Sequence, residues 1–277
     1  DTSRQMRICG SIGYAHWRKG EWSQAKCVLQ WTIETAARRG CEIGMAVACN
    51  NLAAVLLSQG AWEQALAYLE RDLRIVEPIG AVHLAAHAYD DMGEAYRQAG
   101  EWEQAWHYLE RSTAIKRRLD DLSGLAATYH HMGLLCTDTD ERGRAVAYHR
   151  RALGLRERLR GEQDVAEVLV SLAWAYYHHS ANLRLSPEER RAQDEMHATI
   201  RRARTLADRL SRRDLLTRLL WLEADVALTE GRYDEAHAAY RRALETSRSS
   251  HGRYNNDQLI ALHRETEGRM EALKDRR

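Results

Sequence analysis

The chain has 277 residues, with 41 Lys and Arg against 40 Asp and Glu, two Pro and no Phe. A formal net charge of +1 excludes the bulk positive field on which non-specific binding to nucleic acid or to an acidic membrane relies. The five Cys (Cys9, Cys27, Cys41, Cys49, Cys136) are odd in number and lack paired spacing, which argues against a disulfide framework and for buried free thiols in a reducing cytosol.

Ala, Leu, Glu, Arg and Gln dominate, all strong helix formers, and the pattern reads as helix throughout. Residues 5–19 and 22–38 form a first hairpin, with Thr2 or Ser3 placed to cap its first helix. A second runs over 42–59 and 62–77 and ends at Pro78-Ile79-Gly80. A third covers 82–99 and 102–119, followed by Asp120 and Asp121, whose charge favours the next helix N-terminus. A fourth covers 122–137 and 141–159, with Gly161 as a stop. In the fifth, a turn is expected near Ser180-Ala181-Asn182. Ser186, Pro187 and Glu189 then read as N-cap, first helical residue and capping box of a long helix over 187–210. The sixth shows Ala224, Gly231, Tyr233 and Ala236. A last helix over 255–274 carries Leu259, Leu262, His263, Thr266, Met270 and Leu273 on one stripe, as a terminal capping helix does.

The hairpins are copies of one unit. At a period of 40 the turn reads Gly20, Gly60, Gly100, Asp140. Two residues on stand Trp22, Trp62, Trp102 and Arg142, and three further Ala25, Ala65, Ala105 and Ala145. A small-residue column (Gly13, Ala53, Gly93, Gly133, Ala173) follows an apolar one (Ile12, Leu52, Met92, Met132, Leu172). Gly at the turn supplies the left-handed residue that ends a helix. The small column lets two helices approach, and the Trp is expected to fill the gap between hairpins. With Asp140 and Arg142 the fourth turn should be less regular. A hairpin cannot cover its own apolar face, so the copies must stack.

The pattern small-x-x-Tyr-x-x-x-Gly-x-Trp-x-x-Ala, clearest over Gly93–Leu109, resembles the tetratricopeptide repeat. The resemblance covers residues 6–160 and, with more departures, 212–250. Its 40-residue length is similar to the repeats of kinesin light chains and to the sensor arrays of bacterial signal-transducing ATPases and maltose-regulator-type transcription regulators. It implies an all-α, right-handed superhelix of six hairpins (5–40, 41–80, 81–120, 121–160, 161–210 with an insertion, 211–250) and a capping helix, in one solenoid.

In such arrays the first helix of each hairpin lines a concave groove. The stripe opposite the packed face is Arg7, Gly10, Tyr14 and Trp17 in the first hairpin. The second gives Val47, Asn50, Ala54, Leu57, and the third His87, Asp90, Glu94, Arg97. The fourth gives Ala127, His130, Leu134, Thr137, and the fifth Glu167, Val170, Trp174, Tyr177. We expect a ligand-binding groove, polar and charged in the middle and aromatic at both ends. Asn50 suits a peptide backbone; Asp90, Glu94 and Arg97 fix charge; Tyr14, Trp17, Trp174 and Tyr177 stack. The ligand is a peptide, a protein segment or a small molecule.

His87, Asp90 and Asp91 with His130 and His131 do not close a metal-ligand set, and there is no HExxH or CxxC. No cofactor is expected. Neither GxxxxGK[ST], GxSxG nor GxGxxG occurs, so a non-enzymatic scaffold is expected. The Arg pairs are balanced by Glu, which weighs against nucleic acid. No apolar run nears the roughly 18 residues of a membrane span, and no signal peptide opens the chain. Only Lys19, Lys26, Lys116 and Lys274 depart from Arg, a bias we read as that of a high-GC bacterium. The start at Asp1 reads as a piece of a longer protein. The expectation is the sensor or partner-binding part of a cytoplasmic bacterial regulator, attached to an ATPase or DNA-binding domain, with a general protein–protein adaptor as the alternative.

Overall fold

The computed structural model describes residues 2–180 and 187–248, with the isolated positions 268 and 271. The expected turn beyond Ser180, the Ser186 cap and, but for those two positions, the helix over 255–274 fall outside the described residues. Twelve helices run in order: α1 (Thr2–Arg18), α2 (Trp22–Arg38), α3 (Glu42–Ser58), α4 (Trp62–Val76), α5 (Val82–Ala99), α6 (Trp102–Arg118), α7 (Leu122–Asp138), α8 (Arg142–Arg158), α9 (Glu162–Ser180), α10 (Pro187–Arg209), α11 (Arg213–Thr229) and α12 (Tyr233–Arg248). The fold is an all-α solenoid of stacked hairpins. Among the described residues no helix is long and apolar enough to cross a membrane.

One turn joins nearly all of these helices. Left-handed φ recurs at Gly20, Gly40, Gly60, Gly80 and Gly100, continues at Asp120, Asp140 and Arg160, and returns at Ser211 and Gly231. After each, the next amide donates back five residues, as in Glu21 N to His16 O (2.9 Å), Glu101 N to Tyr96 O (2.9 Å) and Gly161 N to Arg156 O (3.3 Å). This is the Schellman closure that satisfies carbonyls at a helix end. The fourth turn, expected to be irregular, keeps the same geometry: Asp140 has φ 59° and Glu141 N donates to Cys136 O at 2.7 Å. Asp tolerates the left-handed region better than most residues, and Arg142 Nε donates to its carboxylate at 2.6 Å. Side-chain caps are rare because this turn ends one helix and starts the next. Asp121 does cap α7, accepting from Gly124 N at 2.8 Å. Thr2 lies inside α1, so Thr2 and Ser3 extend that helix instead of preceding it.

The chain divides into two compact units, one reaching Leu135 and one beginning at Cys136. In unit 1, α1, α3, α5 and most of α7 form a layer of first helices, backed by α2, α4 and α6. Leu29, Leu52, Leu69 and Leu109 are fully buried between the layers, each contributing on the order of 1.5–3 kcal/mol. The small column is buried as expected. A Cβ on Gly13 or Gly93 would stand 2.6 Å from the Cγ of Leu29 or Leu109 respectively, so the helix crossing requires glycine there. The Trp column is mixed. Trp22, Trp62 and Trp102 are the first residues of α2, α4 and α6. Trp22 and Trp62 are half-buried and pack against the core, whereas Trp102 is 39% exposed.

In unit 2, α9, α10 and α11 close around Val165, Leu169, Ala203, Leu215 and Leu219. Buried Tyr240 of α12 donates its hydroxyl to Asp225 of α11. All five cysteines are free; Cys49 and Cys136 are buried, but Cys27 is exposed, contrary to the expectation of buried thiols. It sits on the outer side of α2, a position whose periodicity is not apolar.

Candidate functional site

Successive first helices of unit 1 are tied by polar bonds at a constant spacing of 41 residues, one more than the repeat. Asn51 Nδ2 donates to Gly10 O (3.4 Å), Asn50 Nδ2 to Asp91 Oδ2 (3.0 Å), and His131 Nδ1 meets Asp90 Oδ1 (3.1 Å). One turn or two along, Trp17 Nε1 donates to Ser58 Oγ (2.8 Å) and Gln98 Nε2 to Leu57 O (3.1 Å). The extra residue is the register shift between neighbouring helices that run the same way. It turns columns of Asn, Asp and His into a ladder across α1, α3, α5 and α7.

At the centre of the ladder lies a charged cluster. Asp90 is buried. Its Oδ2 accepts from Lys116 Nζ at 2.8 Å, and Lys116, 1% exposed, also donates to Thr128 Oγ1 at 3.0 Å. Burial opposes the Asp90 charge, but Lys116 and His131 outweigh it and hold the carboxyl well below the usual range. Burial would likewise lower the pKa of His131, and Asp90 reverses this and raises it. Asp91 is pushed up to about 7 by burial and by the charge of Asp90. Behind it, Asp72 on α4 is pushed up to about 8 by burial and Asp91, and its Oδ1 has no partner among the described residues. Toward the C-terminal end of α5, Arg97 grips Glu94 through Nε and Nη2, both at 2.8 Å.

The expected site residues therefore fall into two sets. Asn50, His87, Asp90, Glu94, Arg97 and His130 come together on unit 1. His87 is exposed, 4.0 Å from Asp121, and the His130 ring lies 6.1 Å from that of His131. Asp90 is corrected from a groove-facing residue to a buried one. The face that meets the neighbouring helix is one residue further round than the expected stripe, so Asp91 and His131 border the surface while Asp90 turns inward to Lys116. On α1, Tyr14 is 46% exposed and packs 5.2 Å from Trp17; the side chain of Arg7 falls outside the described residues. Trp174 and Tyr177 belong to unit 2, where they meet at 5.9 Å and Trp221 joins them 5.3 Å from Trp174.

Sequence reading missed Lys116, Asp72, Asp91 and His131 as site residues. The repeat held a signal for two of them. Lys116 occupies the column of Ala36 and Val76, and Asp72 that of Thr32 and Ser112, all buried. A second feature also went unread: a cavity of about 400 Å³ among α4, α5 and α6, lined by Glu70, Arg74, Glu77, Tyr89, Tyr108 and Arg111, among others. There Tyr96 and Tyr108 stack at 5.4 Å, and Arg111 lies 4.0 Å over Tyr89. Among the described residues, no group of three or more His, Cys, Asp and Glu is arranged to hold a metal ion.

The comparisons agree with this architecture. Tetratricopeptide repeat profiles match residues 44–118, 125–164 and 217–250, together more than half of the chain. No curated protein matches. Among solved structures, Rap protein complexed with competence and sporulation factor is 14% identical, with a TM-score of 0.70 over 98% of this chain and 75% of its own. The apo form of RapI is 12% identical, with a TM-score of 0.60 over 97% and 99%. A signal transduction ATPase with numerous domains and a tetratricopeptide repeat sensor, from Pyrococcus horikoshii, is 14% identical, with a TM-score of 0.61 over 99% of this chain and 45% of its own. At these identities the likeness is one of fold, and with the repeat profiles and the hairpin geometry it establishes that the chain belongs to the tetratricopeptide repeat family.

Proposed function

We propose that the chain is a non-enzymatic binding scaffold that takes a peptide segment on the first-helix face of unit 1, as the sensing part of a bacterial cytoplasmic regulator. The observation that carries this is the polar strip of Asn50, Asp91, Glu94, Arg97, His130 and His131. It is half-buried, charged, and fixed by bonds between repeats. A solvated face of single helices needs no such cross-bracing. A pre-ordered row of donors and acceptors loses little entropy on binding and matches the backbone of an extended peptide. The fold shared with Rap and with a repeat sensor of a signal transduction ATPase supports the regulatory context, and the proposal includes an ATPase or DNA-binding domain attached in the full-length protein.

The test is selection of binders to the whole chain from a displayed library of short random peptides, followed by calorimetry on a recovered peptide. His87→Ala and His130→Ala should each weaken binding while the thermal midpoint holds, and Arg97→Gln should weaken it at a temperature well below the melting transition of the variant. Binding that ignores all three sinks the proposal.

A further inference from the structure

The geometry points to the tyrosine-lined cavity among α4, α5 and α6 as a second binding site, one that takes an organic cation, alkylated ammonium or guanidinium, against the rings of Tyr96 and Tyr108. The site uses none of the polar-strip residues, so it stands or falls apart from the peptide reading.

The cavity holds about 400 Å³, within the roughly 300–1,000 Å³ of small-molecule sites. Leu73 and Met92, both buried, line it. Three rings run along it in a row. Tyr96 lies 5.4 Å from Tyr108 with the planes 3° apart, and Tyr108 lies 6.0 Å from Tyr89. The repeat explains why they meet here. The column of Tyr89 has Cys9, Cys49 and Tyr129 in the other hairpins. That of Tyr96 has His16, Leu56 and Cys136, and that of Tyr108 has Val28, Tyr68 and Tyr148. Of these four hairpins the third alone has tyrosine in all three columns.

The two ends of the row differ. At the Tyr89 end the chain supplies its own cation. Arg111 lies 4.0 Å over the Tyr89 ring and donates to the Tyr89 hydroxyl at 2.6 Å. It also stands 3.8 Å from Glu77, which accepts from that hydroxyl. Ring and carboxylate together hold a guanidinium there. Consecutive helices α4 and α5 run in opposite directions, so Glu70, two turns before Glu77, stands level with Tyr96, two turns after Tyr89. Glu70, Tyr96 and Tyr108 line the cavity together. Burial raises the Tyr96 pKa, and Tyr108, Glu70 and Glu101 add to it, so the acids reach the ring. This end thus repeats the ring and the carboxylate, and among the described residues no cation lies over Tyr96 or Tyr108. The negative face of a ring beside a carboxylate attracts a cation, best one whose charge is spread and weakly hydrated. Arg74 lines the same cavity one turn from Glu70, and its charge opposes that attraction. A plainer use of Tyr96 and Tyr108 is to cover the core against which they pack. Leucine serves that use alone and phenylalanine serves both, so the two readings separate.

The experiment is NMR titration of the whole chain, its tyrosine rings isotopically labelled, with choline and butylguanidinium and with their neutral isosteres 3,3-dimethylbutanol and butylurea. We expect a cation to move the ring signals of Tyr96 and Tyr108 and to bind at least about fivefold more tightly than its isostere. Tyr108→Leu should lose a similar factor and Tyr108→Phe should keep it. Glu70→Gln should weaken binding and Arg74→Gln should tighten it. Glu70 is exposed, so its variant decides the matter should Tyr108→Leu fail to fold. Tighter binding of choline assigns a quaternary ammonium ligand, and of butylguanidinium a guanidino compound. Failure of both cations, a cation bound no more tightly than its isostere, or undiminished binding by Glu70→Gln overturns the proposal.

Discussion

Lys116 Nζ lies 2.8 Å from Asp90 Oδ2, and both groups are out of contact with water. The pair joins the two helices of the third hairpin, and through Thr128 and His131 it reaches the first helix of the fourth. Removing one partner leaves the other charge buried and alone. Lys116→Met should therefore destabilise unit 1 by about 3–5 kcal/mol in urea unfolding, and Lys116→Met with Asp90→Leu should recover much of that loss. Additive losses would show that the pair is not coupled as described.

The cluster also sets how stability responds to pH. Asp90 and Glu94 have lowered pKa values, so they stabilise the fold above their unfolded values near pH 4 and lose this in acid. Asp72 and Asp91 are raised, to about 8 and about 7. The fold holds their protons after the unfolded chain has released them, and stability falls as the pH climbs from about 4 to about 8. His131 is raised as well, and its contribution is full below about pH 6.5 and is lost as the pH rises through its folded value. Unit 1 should accordingly be most stable between roughly pH 4 and 6, with Asp72 alone accounting for on the order of several kcal/mol of loss toward pH 9. Asp72→Asn mimics the protonated acid, and denaturant titrations across that range should show a flatter profile. An unchanged slope would remove Asp72 from the account.

At the turns, the left-handed conformation falls on glycine in some repeats and on Asp120, Asp140, Arg160 and Ser211 in others. A side chain with a Cβ costs about 1–2 kcal/mol there, partly offset by the greater freedom of unfolded glycine. Arg160→Gly should raise stability by about 1 kcal/mol. Gly60→Ala, at φ 74°, should lower it by a similar amount, both read by thermal unfolding.

The helix crossings make a sharper demand. At Gly93 a methyl group would meet Leu109 Cγ at 2.6 Å and Ala105 O at 3.3 Å, and the second contact is with backbone. Gly93→Ala should cost about 1–3 kcal/mol, and Gly93→Val more. Leu109→Ala should cost less in the Gly93→Ala background than in the wild type, because the clash and the cavity offset one another. A Gly93→Ala chain as stable as wild type would mean that the helices can move apart freely.

These same residues show what the sequence made legible. Turn glycines and small columns report backbone geometry, which repeats with the fold, so the hairpins and their lengths could be read from spacing alone. The face of a helix is harder. Asp90 and Asp91 differ by 100° around the axis, and the one-residue register shift between neighbouring helices decides which of them turns inward. That shift is a property of packing and leaves no mark in a single helix. Lys116 was legible only by comparing its column with Ala36 and Val76, and its partner could not be named without the crossing geometry. Trp102 was misjudged because its column mates Trp22 and Trp62 pack against the core while it stands 39% exposed, a difference set by local neighbours and not by the repeat position.

The central claim, that the first-helix face of unit 1 is a binding surface, is tested most directly by calorimetry of one selected peptide against wild type, Arg97→Gln and Arg111→Gln. Arg97 lies on the polar strip, and Arg111 lines the tyrosine cavity of the same unit. We predict an affinity loss of at least about tenfold for Arg97→Gln and none for Arg111→Gln. Equal affinity of wild type and Arg97→Gln, or a loss confined to Arg111→Gln, would contradict it.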